Sequence, residues 1–390
     1  MKGQRKISFS TFSCIFLIIL CIFVIIGGVN KDKKLEQSNA TIVQKVLQEQ
    51  RIRLKTEDER ISNFNLYDKI LEKKDISILV IGDGIAEGQG VEAEQAKWFN
   101  VVKKSFNDKY GINATVSLIT GGGTTVFRGW SEYCLGDSSK KYDLVFICFG
   151  QDNQNFLSIS QYQMFYENLI KRVKSNNPNT EIVPMIESYI KVDNDFTKII
   201  KDISNHYGLK YIDTREVFKQ SSIEYDKLTA DGVYPNAQGY SYYAGAISKL
   251  IETNYSDKRS TKYIETNLLY GDTLKLDKFN FATNFENIAG FEKGNGRFLG
   301  SALGSSLTFN SNTSLVGISY IKNKNGGKID VYIDNVLVKV LDTYLPLEVK
   351  YEDVISSKLQ GNHKITLKIS KTKNEKSTGT NITIFGIVTN

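Results

Sequence analysis

Histidine, the commonest catalytic base, occurs only twice in these 390 residues, at His206 and His363. Any imidazole catalysis or His-rich metal site must use one of them. His206 lies in Ser204-Asn205-His206-Tyr207-Gly208, between a helical pattern and a strand, and reads as a surface or capping residue. His363 comes two residues after Gly361 in a β-rich stretch and reads the same way. Carboxylates are the next candidates. Asp83, Glu87, Asp152 and Asp231 all stand in or near glycine-rich turns. If they converge, they could hold a hard cation or work as an acid/base pair. The competing reading makes Asp83 and Asp231 hydrogen-bond acceptors that hold the fold. Thr124, Thr125 and Ser188 offer hydroxyls but no partnered base. Four cysteines show no CxxC or Cys/His spacing suited to zinc, and a Cys134–Cys148 disulfide stays open. No cofactor is expected.

Positioning those residues falls to an alternating region that begins at Ile76. Apolar runs at Ile76–Ile81, Ala114–Ile119, Leu144–Phe149, Glu181–Ile186 and Lys210–Ile212 read as strands. Helical patterns lie between or after them, around Ala93–Lys109, Gln161–Ser175, Asp195–Tyr207 and Ala237–Thr253. Short apolar strands alternating with helices predict a parallel sheet covered on both faces, with ligands at the carboxyl ends of the strands. Those ends are Gly82-Asp83-Gly84, Thr120-Gly121-Gly122-Gly123 and Gly150-Gln151-Asp152-Asn153. Nearby Phe127, Trp130 and Tyr133 either form a sugar-stacking surface or simply cover the sheet.

Past Lys262 the helical pattern gives way to alternating or β-branched runs, from Leu307–Phe309 to Ile382–Val388. Seven or more such runs in about 125 residues predict a β-sandwich, and Asp334-Asn335 predicts a tight hairpin.

Composition sets the outer limits. Hydrophobic residues at 41% and charged residues at 24% describe a globular chain, long enough for two domains. The net charge of +7 is mild, and Lys and Glu/Asp are interspersed without a basic stripe bearing aromatics, so nucleic acid is not an expected partner. A mildly basic exterior suits anionic wall polymers or is simply a solvated surface. Ile7–Val29 is uncharged over 23 positions, long enough to cross a hydrocarbon core of about 30 Å. It lacks a small-x-small cleavage site. Lys2, Arg5 and Lys6 before it predict an uncleaved anchor with its N-terminus in the cytoplasm and the remainder outside. The expected layout is a tip and anchor over 1–30, a charged, partly helical stalk over 31–74, the α/β domain over 75–256 and the sandwich over 265–390.

Four blocks, ILVIGDGIAEGQG, LITGGGTT, FICFGQDNQ and TADGVYPNAQGY, occur in the order and rough spacing of the signature blocks of SGNH/GDSL hydrolases. The resemblance spans 76–253 and implies a flavodoxin-like, three-layer α/β/α fold. The region with GGKIDVYIDN and LQGNHKITLKI resembles the jelly-roll modules that accompany SGNH carbohydrate esterases. In that family the first block supplies a serine nucleophile, and this chain has Gly84. The second supplies an oxyanion-hole glycine, matched by Gly122, and the third an asparagine, where Asp152 stands with Asn153 after it. The last reads Asp-x-x-His; Asp231 matches, but Tyr234 holds the place of the histidine base.

Each departure has a chemical consequence. Glycine has no oxygen to acylate. Tyrosine, with a pKa of about 10, is a poor base near neutrality. An ionised Asp152 would repel the oxyanion that an amide stabilises. The resemblance therefore implies a hydrolase-like protein without an intact catalytic set, keeping Asp83, Gly122, Thr124 and Asn153 as binding residues and acting as a carbohydrate-binding or accessory component on cell-envelope polysaccharide. An active acyl esterase or acyltransferase with a rearranged site is the main alternative. A structural or interaction protein without a small ligand is the third. Oligomeric state is open.

Overall fold

The structure, a computed structural model, describes residues 33–150, 153–261, 267–271 and 274–390. It divides into two units, 1–64 and 65–390. In the first, α1 (Lys33–Ser62) is a single 30-residue helix, where a partly helical stalk was expected. Arg60 pairs with Glu57 at 2.9 Å and sits over the Phe64 ring. The uncharged run Ile7–Val29 lies outside the described residues. Among the described residues no helix is long and apolar enough to cross a membrane.

The second unit begins with α2 (Leu66–Leu71) and a parallel sheet of β1 (Ile76–Gly82), β2 (Ala114–Ile119), β3 (Leu144–Cys148), β4 (Glu181–Ile186) and β5 (Ile212–Asp213). The strand order β2-β1-β3-β4-β5 is the flavodoxin-like one, with its switch point between β1 and β3. Strands β1, β3 and β4 are apolar almost throughout because helices cover both faces. The connecting helices are α3 (Gly84–Glu87), α4 (Trp98–Tyr110), α5 (Val126–Leu135), α6 (Asn153–Phe156), α7 (Ile159–Asn176), α8 (Asp195–His206), α9 (Thr214–Gln220) and α10 (Ala237–Ser256). Trp98, Val102 and Phe106 of α4 and Tyr240, Tyr243 and Ile247 of α10 pack with Ile78 and Val80 on one face. Phe127 and Trp130 of α5, Phe165 and Leu169 of α7 and Ile199 and Ile203 of α8 pack with Leu79 and Ile81 on the other.

Helix α5 escapes a periodicity search for a physical reason. Seven of its residues are buried, Arg128 and Ser131 among them, so its polar stripe does not face water as that of a surface helix does. Its far side is covered by the β region, which consists of β6 (Asn280–Ala282), β7 (Asn287–Ala289), β8 (Glu292–Gly294), β9 (Arg297–Gly300), β10 (Ser306–Asn312), β11 (Val316–Lys322), β12 (Lys328–Ile333), β13 (Val336–Asp342), β14 (Val349–Ser356), β15 (Asn362–Ile369) and β16 (Ile382–Thr389). They form two antiparallel sheets, β13-β12-β15-β10-β7 and β14-β11-β16-β9-β8, with β6 paired to β16. Ile329, Val331, Ile365 and Leu367 from the first sheet share one core with Ile318, Tyr320, Ile384 and Ile387 from the second, which makes a sandwich. Asp334 and Asn335 have φ of 51° and 67°, as a two-residue hairpin of the expected kind requires.

The two parts share buried surface. Leu315, Val354 and Val388 of the sandwich, with Leu274 and Leu276 ahead of it, join the cluster of Phe127 and Trp130. Gly317 lets this happen: a Cβ there would stand 2.3 Å from Phe127 Cζ.

Candidate active-site cleft

The cleft sits where the fold places ligands, at the carboxyl ends of β1 and β3. Gly82 ends β1 because a Cβ there would meet the Cys148 carbonyl oxygen at 2.2 Å. Asp83 is fully buried and caps α3, its Oδ1 accepting from the Ile85 amide at 3.0 Å. Gly84 opens the helix, and Gly88 closes it with φ of 81°. The turn is pinned from outside by Trp98 Nε1, which donates to the Ala86 carbonyl at 3.1 Å, and by Tyr240 Oη, which donates to the Gln89 carbonyl at 2.7 Å.

That pinning aims a side chain that sequence reasoning overlooked. Gln89 Nε2 donates to Glu87 Oε2 at 2.7 Å. Its Oε1 lies 2.9 Å from the place a Cβ on Gly84 would take, and its Nε2 3.2 Å from that place on Gly122. The carboxamide therefore occupies the space between the two glycines. Tyr234 closes the same space from the far side, with Cε1 also 2.9 Å from the Gly84 Cβ position. Asp231, exposed, accepts from the amides of Val233 and Tyr234 at 3.0 and 2.9 Å and so holds the turn that presents the ring.

Three binding candidates lie on the second and third blocks. Gly122 is half-buried next to Gln89. Thr124 and Asn153 are fully buried. Asn153 Oδ1 accepts from the Val126 amide at 2.7 Å, tying the third block to the start of α5, while its Nδ2 and Thr124 Oγ1 have no hydrogen-bond partner among the described residues. Asp152 lies outside the described residues. Thr125 caps α5, and Ser188 is engaged with the Tyr243 hydroxyl at 2.9 Å.

A carboxylate cluster of Asp83, Glu87 and Asp231 is not formed: Asp83 is buried at a helix start, Glu87 binds Gln89 and Asp231 caps a turn on the surface. Among the described residues no three His, Cys, Asp or Glu side chains come together as a metal site needs. A buried carboxylate missed in the sequence lies below instead. Glu187, just past β4, accepts from Cys148 Sγ at 3.4 Å. Burial, with Glu187 and Asp83 nearby, pushes the Cys148 thiol well above its ordinary pKa. An acidic residue directly after an apolar strand was the available signal. Cys134 and Cys148 are both free thiols, and the disulfide is absent. The histidines are engaged elsewhere, His206 with the Asn267 carbonyl at 2.7 Å and His363 with Asp334 at 2.7 Å.

Phe127, Trp130 and Tyr133 cover the sheet and stack on no open surface, being at most 8% exposed. The aromatic rim comes from other residues. Gly123, with φ of 74°, accommodates the ring of Tyr351 from β14, whose Cζ lies 2.4 Å from a would-be Cβ. Phe156 is exposed and meets Tyr351 edge-on at 6.2 Å, and Lys322 Nζ lies 4.4 Å over the Tyr351 ring. Arg128 braces this contact, donating to the Lys350 carbonyl at 2.7 Å and to Glu132 at 3.0 Å. The sandwich thus contributes one wall of the cleft.

The parallel β2-β1-β3-β4-β5 sheet, with glycine turns at the ends of β1 and β2, is a flavodoxin-like α/β fold. Residues 80–242, within the α/β domain, match the GDSL-like lipase/acylhydrolase family. The chain is also similar to the crystal structure of a two-domain esterase active on acetylated mannans. That likeness has a TM-score of 0.67 at 18% identity, over 83% of this chain and 93% of the other. The same esterase co-crystallised with mannopentaose gives 0.68 at 16% identity, over 83% and 92%. At such identities the likeness is one of fold, and it covers both domains. No curated protein matches the sequence.

Proposed function

We propose that this protein is a membrane-anchored, extracytoplasmic SGNH-like protein that binds cell-envelope polysaccharide without hydrolysing esters. The observation that carries this reading is at position 84: the nucleophile place is glycine, and the space beside it is filled by Gln89 and Tyr234. Glycine brings no hydroxyl to be acylated, and the Gln89 carboxamide that fills the space is not a nucleophile. Exposed Phe156, edge-on to Tyr351, offers an aromatic surface of the kind sugars pack on. The similar two-domain esterase acts on acetylated mannans and was crystallised with mannopentaose, which supports a polysaccharide ligand by analogy of fold. Anchoring rests on the uncharged Ile7–Val29 run and its basic flank.

Purified full-length protein is to be tested for hydrolysis of activated acetyl esters and for retention on wall polysaccharide. Retention without turnover is the expected outcome. Turnover that disappears in Asp83→Asn or Asp231→Asn would establish a rearranged esterase instead. Neither retention nor turnover would leave a structural or interaction protein.

A further inference from the structure

We infer that Gln89 is a specificity-determining residue that makes the cleft select unacylated glycan over its acylated form; this rests on the glycan-binding reading above. The resemblance puts the nucleophile place at Gly84 and an oxyanion-hole donor at Gly122, so an acyl group presented to both would lie between them. Here that space, between Gly84 and Gly122, contains the Gln89 carboxamide, with Oε1 2.9 Å and Nε2 3.2 Å from the two Cβ positions. A carboxamide is close in size and shape to an acetyl group, so the two cannot occupy the space together.

The side chain is held there by more than packing. Nε2 donates to Glu87 Oε2, the Gln89 backbone amide donates to the Gly84 carbonyl at 3.0 Å, and its carbonyl accepts from Tyr240. Moving the carboxamide aside breaks the bond to Glu87 and leaves that carboxylate short of a donor. An acetylated sugar at this site therefore meets both a steric and a hydrogen-bonding cost that the bare sugar avoids. The rim of Tyr351 and Phe156 lies outside this space and is open to either form.

The test compares binding of the full chain to acetylated mannan, and to purified acylated wall polysaccharide, each before and after removal of the acyl groups by mild alkali. Wild type should bind the alkali-treated polymer at least tenfold more tightly. Gln89→Ala, which vacates the acyl space, should abolish the preference by improving binding to the acylated form. Gln89→Met, which keeps the bulk, should retain it. Equal binding of both forms by wild type, or an unchanged preference in Gln89→Ala, would overturn the inference while leaving glycan binding intact. Binding to none of the polymers by any variant would overturn the glycan-binding reading, and the inference with it.

Discussion

The ring of Tyr234 rests on Gly84, its Cε1 2.9 Å from where a Cβ would stand. Two positions 150 residues apart in the chain, which the sequence resemblance aligns with the family's nucleophile and base, are thus brought into contact. The contact means that a serine and a histidine placed at these two positions would meet.

Gly84→Ser alone should give no esterase activity, because tyrosine is a poor base and Gln89 crowds the new side chain. Adding Tyr234→His should raise hydrolysis of p-nitrophenyl acetate by about 10²-fold or more over the single variant, the usual scale of a positioned general base. Adding Gln89→Ala should raise it again by clearing the acyl space. Steady-state kinetics on the series decides the matter. A triple variant that folds but stays inert would mean that the cleft has diverged beyond these three positions.

Tyr351 and Phe156 should contribute to glycan binding. Tyr351→Ala removes the ring that lies on Gly123 and is expected to weaken binding by about 0.5–1.5 kcal/mol, roughly 2- to 12-fold. Isothermal titration with the polymer that wild type retains would measure it. No change in both Tyr351→Ala and Phe156→Ala would remove the rim from the site.

The two domains should unfold together. Gly317→Ala places a methyl against Phe127 inside the shared cluster and should cost about 1–3 kcal/mol, the usual range for overpacking. Scanning calorimetry is expected to show one transition that moves down as a whole. Two separate transitions, with only the sandwich affected, would indicate independent folding.

Glu352 gives stability a pH dependence. This β14 carboxylate is buried, with Lys350 at 3.4 Å. Ser131 and Ser319 lie near it, but their hydroxyls and both its oxygens lack hydrogen-bonding geometry. Burial raises its pKa more than Lys350 lowers it. A raised carboxyl pKa means that the folded state binds more protons than the unfolded one, starting near the ordinary carboxylate value of about 4.3. Its contribution is therefore full at acid pH and is lost as pH rises through the folded pKa. Glu352→Gln should be more stable than wild type at neutral pH, with the gap closing as the pH falls through the folded pKa. Lys350 keeps its bond to Glu132 at 3.0 Å in that variant. Urea midpoints across pH would show a constant gap if Glu352 does not titrate in this way.

Fractionated cells should hold the full-length chain in the membrane, with the sandwich open to external protease. A shortened, soluble chain in the medium would refute the uncleaved anchor.

What the sequence determined alone is the alternation of strand and helix, the glycine turns that end β1 and β2, and the loss of serine and histidine at Gly84 and Tyr234. These follow from local rules: periodicity, backbone freedom and side-chain chemistry are properties of short segments. The tertiary structure alone decided three other things. It placed Gln89 between Gly84 and Gly122, which depends on Trp98 of the following helix and Tyr240 of the last one holding the turn together. It brought Tyr351 across more than 200 residues onto Gly123. It buried Phe127 and Trp130 together with polar Arg128 and Ser131 of the same helix, because a second domain, and not water, covers that helix. Each depends on what lies opposite a residue in space, and a single chain read in order does not contain that information.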